Sequence, residues 1–189
     1  ELFDTQIKSI LNSESLGRVK IMFPMISTIE DFIKAKEFVA KVANNLNVDV
    51  PPLGIMVETP SSALIADKFS EIVDFISIGT NDLTQYIMAA DRGNNNLSLY
   101  QDPLHPAVLR AISNVIDCCN ANSTEVSVCG EMSSDPISAF VLNILGLKIF
   151  SMAPSAAPFV FDVLDTHSKI NKQNIKEQIL QQNNAEEVR

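Results

Sequence analysis

The stretch Phe75-Ile76-Ser77-Ile78-Gly79-Thr80-Asn81-Asp82-Leu83-Thr84-Gln85-Tyr86 decides the fold. It opens on a four-residue run, Phe75 to Ile78, with little polar alternation, as expected of a short strand covered on both faces. A polar turn follows, and Leu83 onward continues as a helix that Asn81 or Asp82 is placed to cap. The same unit recurs along the chain. The runs Val19 to Phe23, Leu53 to Val57, Val126 to Cys129 and Ile149 to Met152 have the same character. Ile29, Phe32, Ile33, Ala40 and Ala43 fall at helical spacing, and Ser61 to Phe69 and Pro106 to Cys119 read as helices too. Pro106 suits a first helical turn, and Asp135-Pro136 forms a cap and first position for a helix running to Leu145. Five strands alternating with helices predict an α/β fold with a parallel sheet, because each crossover is long enough to hold a helix.

Working outward, the 189 residues carry a formal net charge of −9, from 23 acidic and 14 basic groups. That sign opposes binding to a phosphate backbone, so nucleic acid is not an expected partner. No apolar run approaches the roughly 18 to 20 residues of a membrane span. Three cysteines, two of them adjacent (Cys118 and Cys119), make no disulfide framework, and a reducing cytoplasm is expected. From residue 165 the sequence turns polar and rich in Gln and Asn, which predicts an α/β domain over 1–164 and a solvent-exposed helix or tail over 165–189. The absence of a start Met suggests a piece of a longer protein.

In a parallel sheet the residues just past each strand share one face, the face that carries active sites. Those positions are Pro24-Met25, Glu58-Thr59-Pro60, Gly79 to Asp82, Cys129-Gly130-Glu131 and Ser151-Met152. Two carboxylates (Glu58, Asp82), an amide (Asn81) and a thiol (Cys129) thus converge. Hard oxygen ligands of this kind suit Mg²⁺, which takes one or two carboxylates and keeps other positions for water or a phosphorylated substrate. Each residue also has a plainer reading. Asn81 and Asp82 are good helix caps, Glu58 can bond backbone donors, and Cys129 can be a buried apolar group. Asp91-Arg92-Gly93-Asn94 reads as an ordinary turn. His105 and His167 have no partner pattern, and Cys118 and Cys119 read as helix packing residues.

At these residues the sequence resembles a known family. Gly54-Ile55-Met56-Val57-Glu58-Thr59-Pro60, the stretch from Phe75 to Tyr86, and Asp91-Arg92-Gly93-Asn94 closely resemble the phosphoenolpyruvate-binding domain of enzyme I of the bacterial sugar phosphotransferase system. So do Ile21 to Met25, His105 to Arg110 and Cys129-Gly130-Glu131-Met132, all in one order up to about Val163. The resemblance implies a (β/α)₈ TIM barrel, with the five strands as its fourth to eighth, so the chain is expected to be a partial barrel. It implies Glu58 and Asp82 as Mg²⁺ ligands, Asn81 and Arg92 as holders of the substrate phosphate, and Cys129 as the acid that protonates the enolate carbon. Lys20 stands where the family carries Arg, and is retained as a candidate substrate contact without bidentate geometry.

The implied function is transfer of a phosphoryl group from phosphoenolpyruvate to a histidine and on to HPr, releasing pyruvate. HPr would be reached through an N-terminal domain that these residues do not include, and the isolated chain is expected to be inactive in that transfer. A homodimer is the expected assembly. Two alternatives stay open: the equivalent domain of a pyruvate phosphate dikinase or phosphoenolpyruvate synthase, or a dimerisation module without activity.

Overall fold

The computed structural model describes residues 1–13, 19–168 and 170–189. The sheet has five strands, β1 (Ile21–Phe23), β2 (Leu53–Val57), β3 (Phe75–Gly79), β4 (Glu125–Cys129) and β5 (Ile149–Phe150), paired in chain order. All four pairings are parallel. A doubly wound sheet reverses its strand order at a switch point, whereas this order never reverses, which is the winding of a barrel. The architecture is a partial (β/α) barrel of five strands.

Burial explains the apolar runs. Ile21, Phe23, Leu53, Ile55, Val57, Ile76, Ile78, Val126 and Val128 lie at alternate strand positions and join the helices in one core. The register sets the other face in rows: Met22, Gly54, Phe75 and Glu125, then Met56, Ser77, Ser127 and Ile149. The expected cover on both faces holds for β3, which is buried throughout, and nearly so for β2. It fails at the margins, where Met22, Glu125 and Ile149 are exposed. Met22 and Ile149 lie on β1 and β5, which each have one strand neighbour and an open edge, and Glu125 begins β4 ahead of its pairing with β5, which starts at Ser127 and Ile149.

The helices are α1 (Leu2–Leu11), α2 (Ile29–Leu46), α3 (Pro60–Leu64), α4 (Ala66–Ser70), α5 (Thr80–Met88), α6 (Pro106–Asn122), α7 (Pro136–Ile144), α8 (Ala157–Thr166), α9 (Lys172–Gln181) and α10 (Ala185–Val188). Local chemistry sets their ends. Thr28 and Asp31 form a reciprocal capping box on α2, and Asp135 caps α7 through the Ser138 amide. His105 Nδ1 accepts from the Ala107 amide at the start of α6. The single helix expected over 61–69 is instead α3 and α4, broken at Ile65 (φ −107°, ψ 29°), and α1 is an additional helix.

The polar segment after residue 165 is tied down. Ile179 and Ala185 are buried in the common core. Lys176 Nζ lies 2.6 Å from Asp117 Oδ1, Arg110 Nε donates to Leu180 O at 2.9 Å, and Arg189 Nη1 donates to Asp102 Oδ2 at 2.7 Å. Among the described residues no helix is long and apolar enough to cross a membrane.

Candidate functional site

The C-terminal ends of β2, β3 and β4 form the floor of the site. Glu58 follows β2 and is only 4% exposed. Its Oε1 accepts from the Met25 amide at 2.7 Å, and Met25 takes a left-handed conformation (φ 54°) that a non-glycine residue seldom adopts. The plainer reading of Glu58, a carboxylate bonded to a backbone donor, therefore holds for one of its two oxygens. The other lies beside Gly79, where an added Cβ would fall 3.0 Å from Oε2 and 3.0 Å from Glu58 Cβ. A side chain at 79 would have to push Glu58 back by a few tenths of an ångström.

Asn81 and Asp82 do not cap. The helix α5 begins at Thr80 with Gly79 at its N-cap and no side-chain cap bond. Asn81 Oδ1 instead accepts from the Glu131 amide at 3.2 Å, joining the β3 and β4 loops. Gly130 between them has φ +106°, and a Cβ there would sit 2.6 Å from Thr80 Oγ1. Asp82 Oδ1 lies 3.7 Å from Arg92 Nη1, a long and solvent-screened pair. Arg92 belongs to the turn that the sequence predicts, closed by the Gly93 amide on Asp91 Oδ1 at 2.9 Å. It also reaches the site. A cavity of about 300 Å³ is lined by Asn81, Thr84, Gln85, Arg92, Gln101 and Glu131, among others.

Cys129 pairs with Gly79 in the register and is partly exposed. Its thiol donates to Ile78 O at 3.5 Å and accepts from Ser77 Oγ at 3.4 Å. Cys119 differs: it packs in the core, and burial within α6, aided by Cys118, pushes its thiol up to about 12. Burial also raises the Cys118 thiol, with Asp67 and Asp117 adding to the effect. His105 is the cap of α6, and His167 lies against Phe140 with ring centroids 4.9 Å apart.

The structure thus brings Glu58, Asn81, Asp82, Arg92 and Cys129 to one end of the sheet. Lys20 is not among them. It precedes β1, and its Nζ pairs with Glu125 Oε1 at 2.6 Å, 5.1 Å from the Phe75 ring centroid. In the register Lys20 stands beside Pro52, six residues before Glu58, which at about 3.3 Å per residue is roughly 20 Å along the strand direction. A lysine side chain does not span that gap. Sequence reasoning did not single out the Met25 amide, Ser77, Gln85, Gln101 or Glu131. Met25 and Glu131 stood at strand ends, but neither carries a signal of its own without the positive φ and the bond from Asn81.

Glu58 and Asp82, with Glu131 on the cavity wall, are carboxylates at this end of the sheet. Among the described residues no group of three or more His, Cys, Asp or Glu forms a metal site. A full protein cage is absent there, and a two-carboxylate site completed by water and ligand oxygens is the kind that Mg²⁺ takes.

Solved structures of similar fold include a citrate lyase from Burkholderia xenovorans (TM-score 0.58, 18% identity, 94% of this chain and 67% of that one). Another is a malate synthase from Haloferax volcanii (TM-score 0.57, 16% identity, 77% and 40%). At such identities they speak for the fold alone. In sequence, the chain is 42% identical over 195 residues to the phosphoenolpyruvate-protein phosphotransferase of Bacillus subtilis, covering all of this chain and 34% of that protein. It is 40% identical over 190 residues to the multiphosphoryl transfer protein of Xanthomonas campestris, of which it covers 23%. The chain therefore spans about a third or less of the length of these relatives. The family profile described as PEP-utilising enzyme, PEP-binding domain, matches residues 1–168, and the chain belongs to that family.

Proposed function

We propose that this chain binds phosphoenolpyruvate with Mg²⁺ and serves as the substrate-binding part of a phosphoenolpyruvate–protein phosphotransferase. The observation that carries the reading is that Glu58, Asn81, Asp82, Arg92 and Cys129 come to one end of the sheet, where Asn81 and Arg92 line a cavity of about 300 Å³. Arg92 offers a planar fork that matches a phosphate, and Asn81, its oxygen held by the Glu131 amide, keeps its NH₂ for a second phosphate oxygen.

Glu58 and Asp82 would hold the Mg²⁺. Glu58 is half engaged by Met25 and touched by no cation among the described residues, and the Asp82–Arg92 pair is loose enough to open. When bound, the ion would supply Lewis-acid polarisation of substrate oxygens. Cys129 would give its Sγ proton to the methylene carbon of the enolate left by phosphoryl transfer, yielding pyruvate. The Ser77 hydroxyl, already donating to Sγ, would stabilise the thiolate that remains. Neither histidine of this chain stands in the site, so the acceptor histidine, and HPr after it, would be met outside these residues. The names of the relatives support this reading over a nucleotide-coupled dikinase.

The test is calorimetric titration of the chain with phosphoenolpyruvate. Binding is expected in Mg²⁺ and not in excess chelator, with Glu58→Gln and Arg92→Ala each weakening it about tenfold or more, the scale of a lost charged hydrogen bond. Cys129→Ala should stay within about threefold of the parent affinity while abolishing the uptake of deuterium from D₂O into the methyl group of pyruvate added to the chain with Mg²⁺. Equal binding with and without Mg²⁺, or unchanged deuterium uptake, would reject the corresponding assignment.

A further inference from the structure

Arg92 is oriented by very little of its own. Its guanidinium is more than half exposed, and its ion pair with Asp82 is 3.7 Å long. A fork that grips phosphate needs a fixed direction, so the backbone of the turn 91–94 has to supply it. Two glutamines hold that turn. Gln101 Nε2 donates to Asp91 O at 2.8 Å and to Asn94 O at 3.0 Å, clasping the turn at its first and last residues. Gln85 Oε1 accepts from the Arg92 amide itself at 3.1 Å. The orientation of each side-chain amide is forced, because carbonyls accept only from NH₂ and a backbone N–H donates only to oxygen. Gln101 is in turn set by its own amide on Ser98 O at 3.1 Å, and the neighbouring Asp102 is fixed by the Leu104 amide and Arg189.

We propose that Gln101 is a positioning residue for Arg92: its two hydrogen bonds hold the turn 91–94 so that the guanidinium faces the phosphate cavity, with Gln85 as the second point of attachment. This rests on the reading of the cavity as the phosphoenolpyruvate site. Gln101 acts as a donor and Gln85 as an acceptor, so one substitution has opposite effects at the two positions. Glutamate keeps an acceptor and loses the donors. Gln101→Glu therefore releases the turn, whereas Gln85→Glu leaves it held.

The experiment measures amide hydrogen exchange at Arg92, Gly93 and Asn94 in the 189-residue chain, beside titration with phosphoenolpyruvate in Mg²⁺. Gln101→Met, neutral and of similar size but without donors, should speed exchange at these amides about tenfold and weaken phosphoenolpyruvate binding by a similar factor. Exchange in the sheet should stay at the parent rate, which a general loss of folding would not allow. Gln101→Glu should match Gln101→Met in exchange, and Gln85→Glu should match the parent. Unchanged exchange in both Gln101 variants, or equal release by Gln101→Glu and Gln85→Glu, overturns the proposal. A released turn with full phosphoenolpyruvate affinity overturns the link to Arg92. If the parent chain binds no phosphoenolpyruvate, the reading of the cavity fails, and the exchange contrast still decides whether Gln101 holds the turn.

Discussion

At the scale of the residue, the candidate site depends on a glycine in the β4 loop. Gly130 has φ +106°, and a Cβ there would stand 2.6 Å from Thr80 Oγ1 and 3.0 Å from Asn81 Oδ1. Gly130→Ala should therefore cost about 1–3 kcal/mol in backbone strain alone, lowering Tm by roughly 2–12 °C, and should push Asn81 off the Glu131 amide. A melting curve and a phosphoenolpyruvate titration check both parts. A variant that melts with the parent would show that the β4 loop yields. Glu58, Asn81, Asp82 and Cys129 were legible in the sequence because strand ends in a parallel sheet share a face, and Arg92 because of the resemblance carried by Asp91 to Asn94. Ser77, Gln85 and Gln101 were not. Their roles arise from contacts across 52, 7 and 10 residues of chain, and nothing in a Gln or Ser tells which backbone atom it will meet. Lys20 shows the converse. Its position next to a strand was legible, but which end of the strand it occupied relative to the other candidates needed the register.

At the scale of the element, capping chemistry translated at α6 and α7 and not at α5, and packing translated less. Asp135 and the prolines at 106 and 136 mark helix starts that the structure has. The break at Ile65 carries no Gly or Pro, so no local signal announces it. The polar stretch after residue 165 concealed a packed helix for a related reason: α9 buries chiefly Ile179, and a single buried position leaves a mostly polar composition. Ile179→Ala should cost about 2–4 kcal/mol, read by chemical denaturation. Because Arg110 caps the carbonyl of Leu180 and Lys176 pairs with Asp117, the loss should loosen α9 from α6 before it disturbs the sheet. Protease cutting near residues 182–184 should then rise while far-ultraviolet dichroism stays near the parent value. Unchanged cutting would place the hold on α9 in its polar contacts.

At the scale of the whole molecule, the order of the strands follows from local signals, since each strand–helix unit lays the next strand beside the last. How far the cover extends does not, because an apolar run reads alike in a central strand and in an outer one. The same gradient of burial separates the two halves of the candidate site. Glu58 just past β2 and Gly79 at the end of β3 sit on the most enclosed part of the sheet, while Arg92 hangs on an exposed turn held by glutamines. Warming should thus take the halves apart in sequence. Affinity for phosphoenolpyruvate should fade over a range several degrees below the unfolding midpoint, as the turn loosens over an intact sheet, and return on cooling. Titrations at rising temperature beside a calorimetric melt would show this as two separate events, and their coincidence would mean that turn and sheet let go together. The molecule's useful temperature range would then be set by a pair of amide side chains, well before its hydrophobic core is challenged.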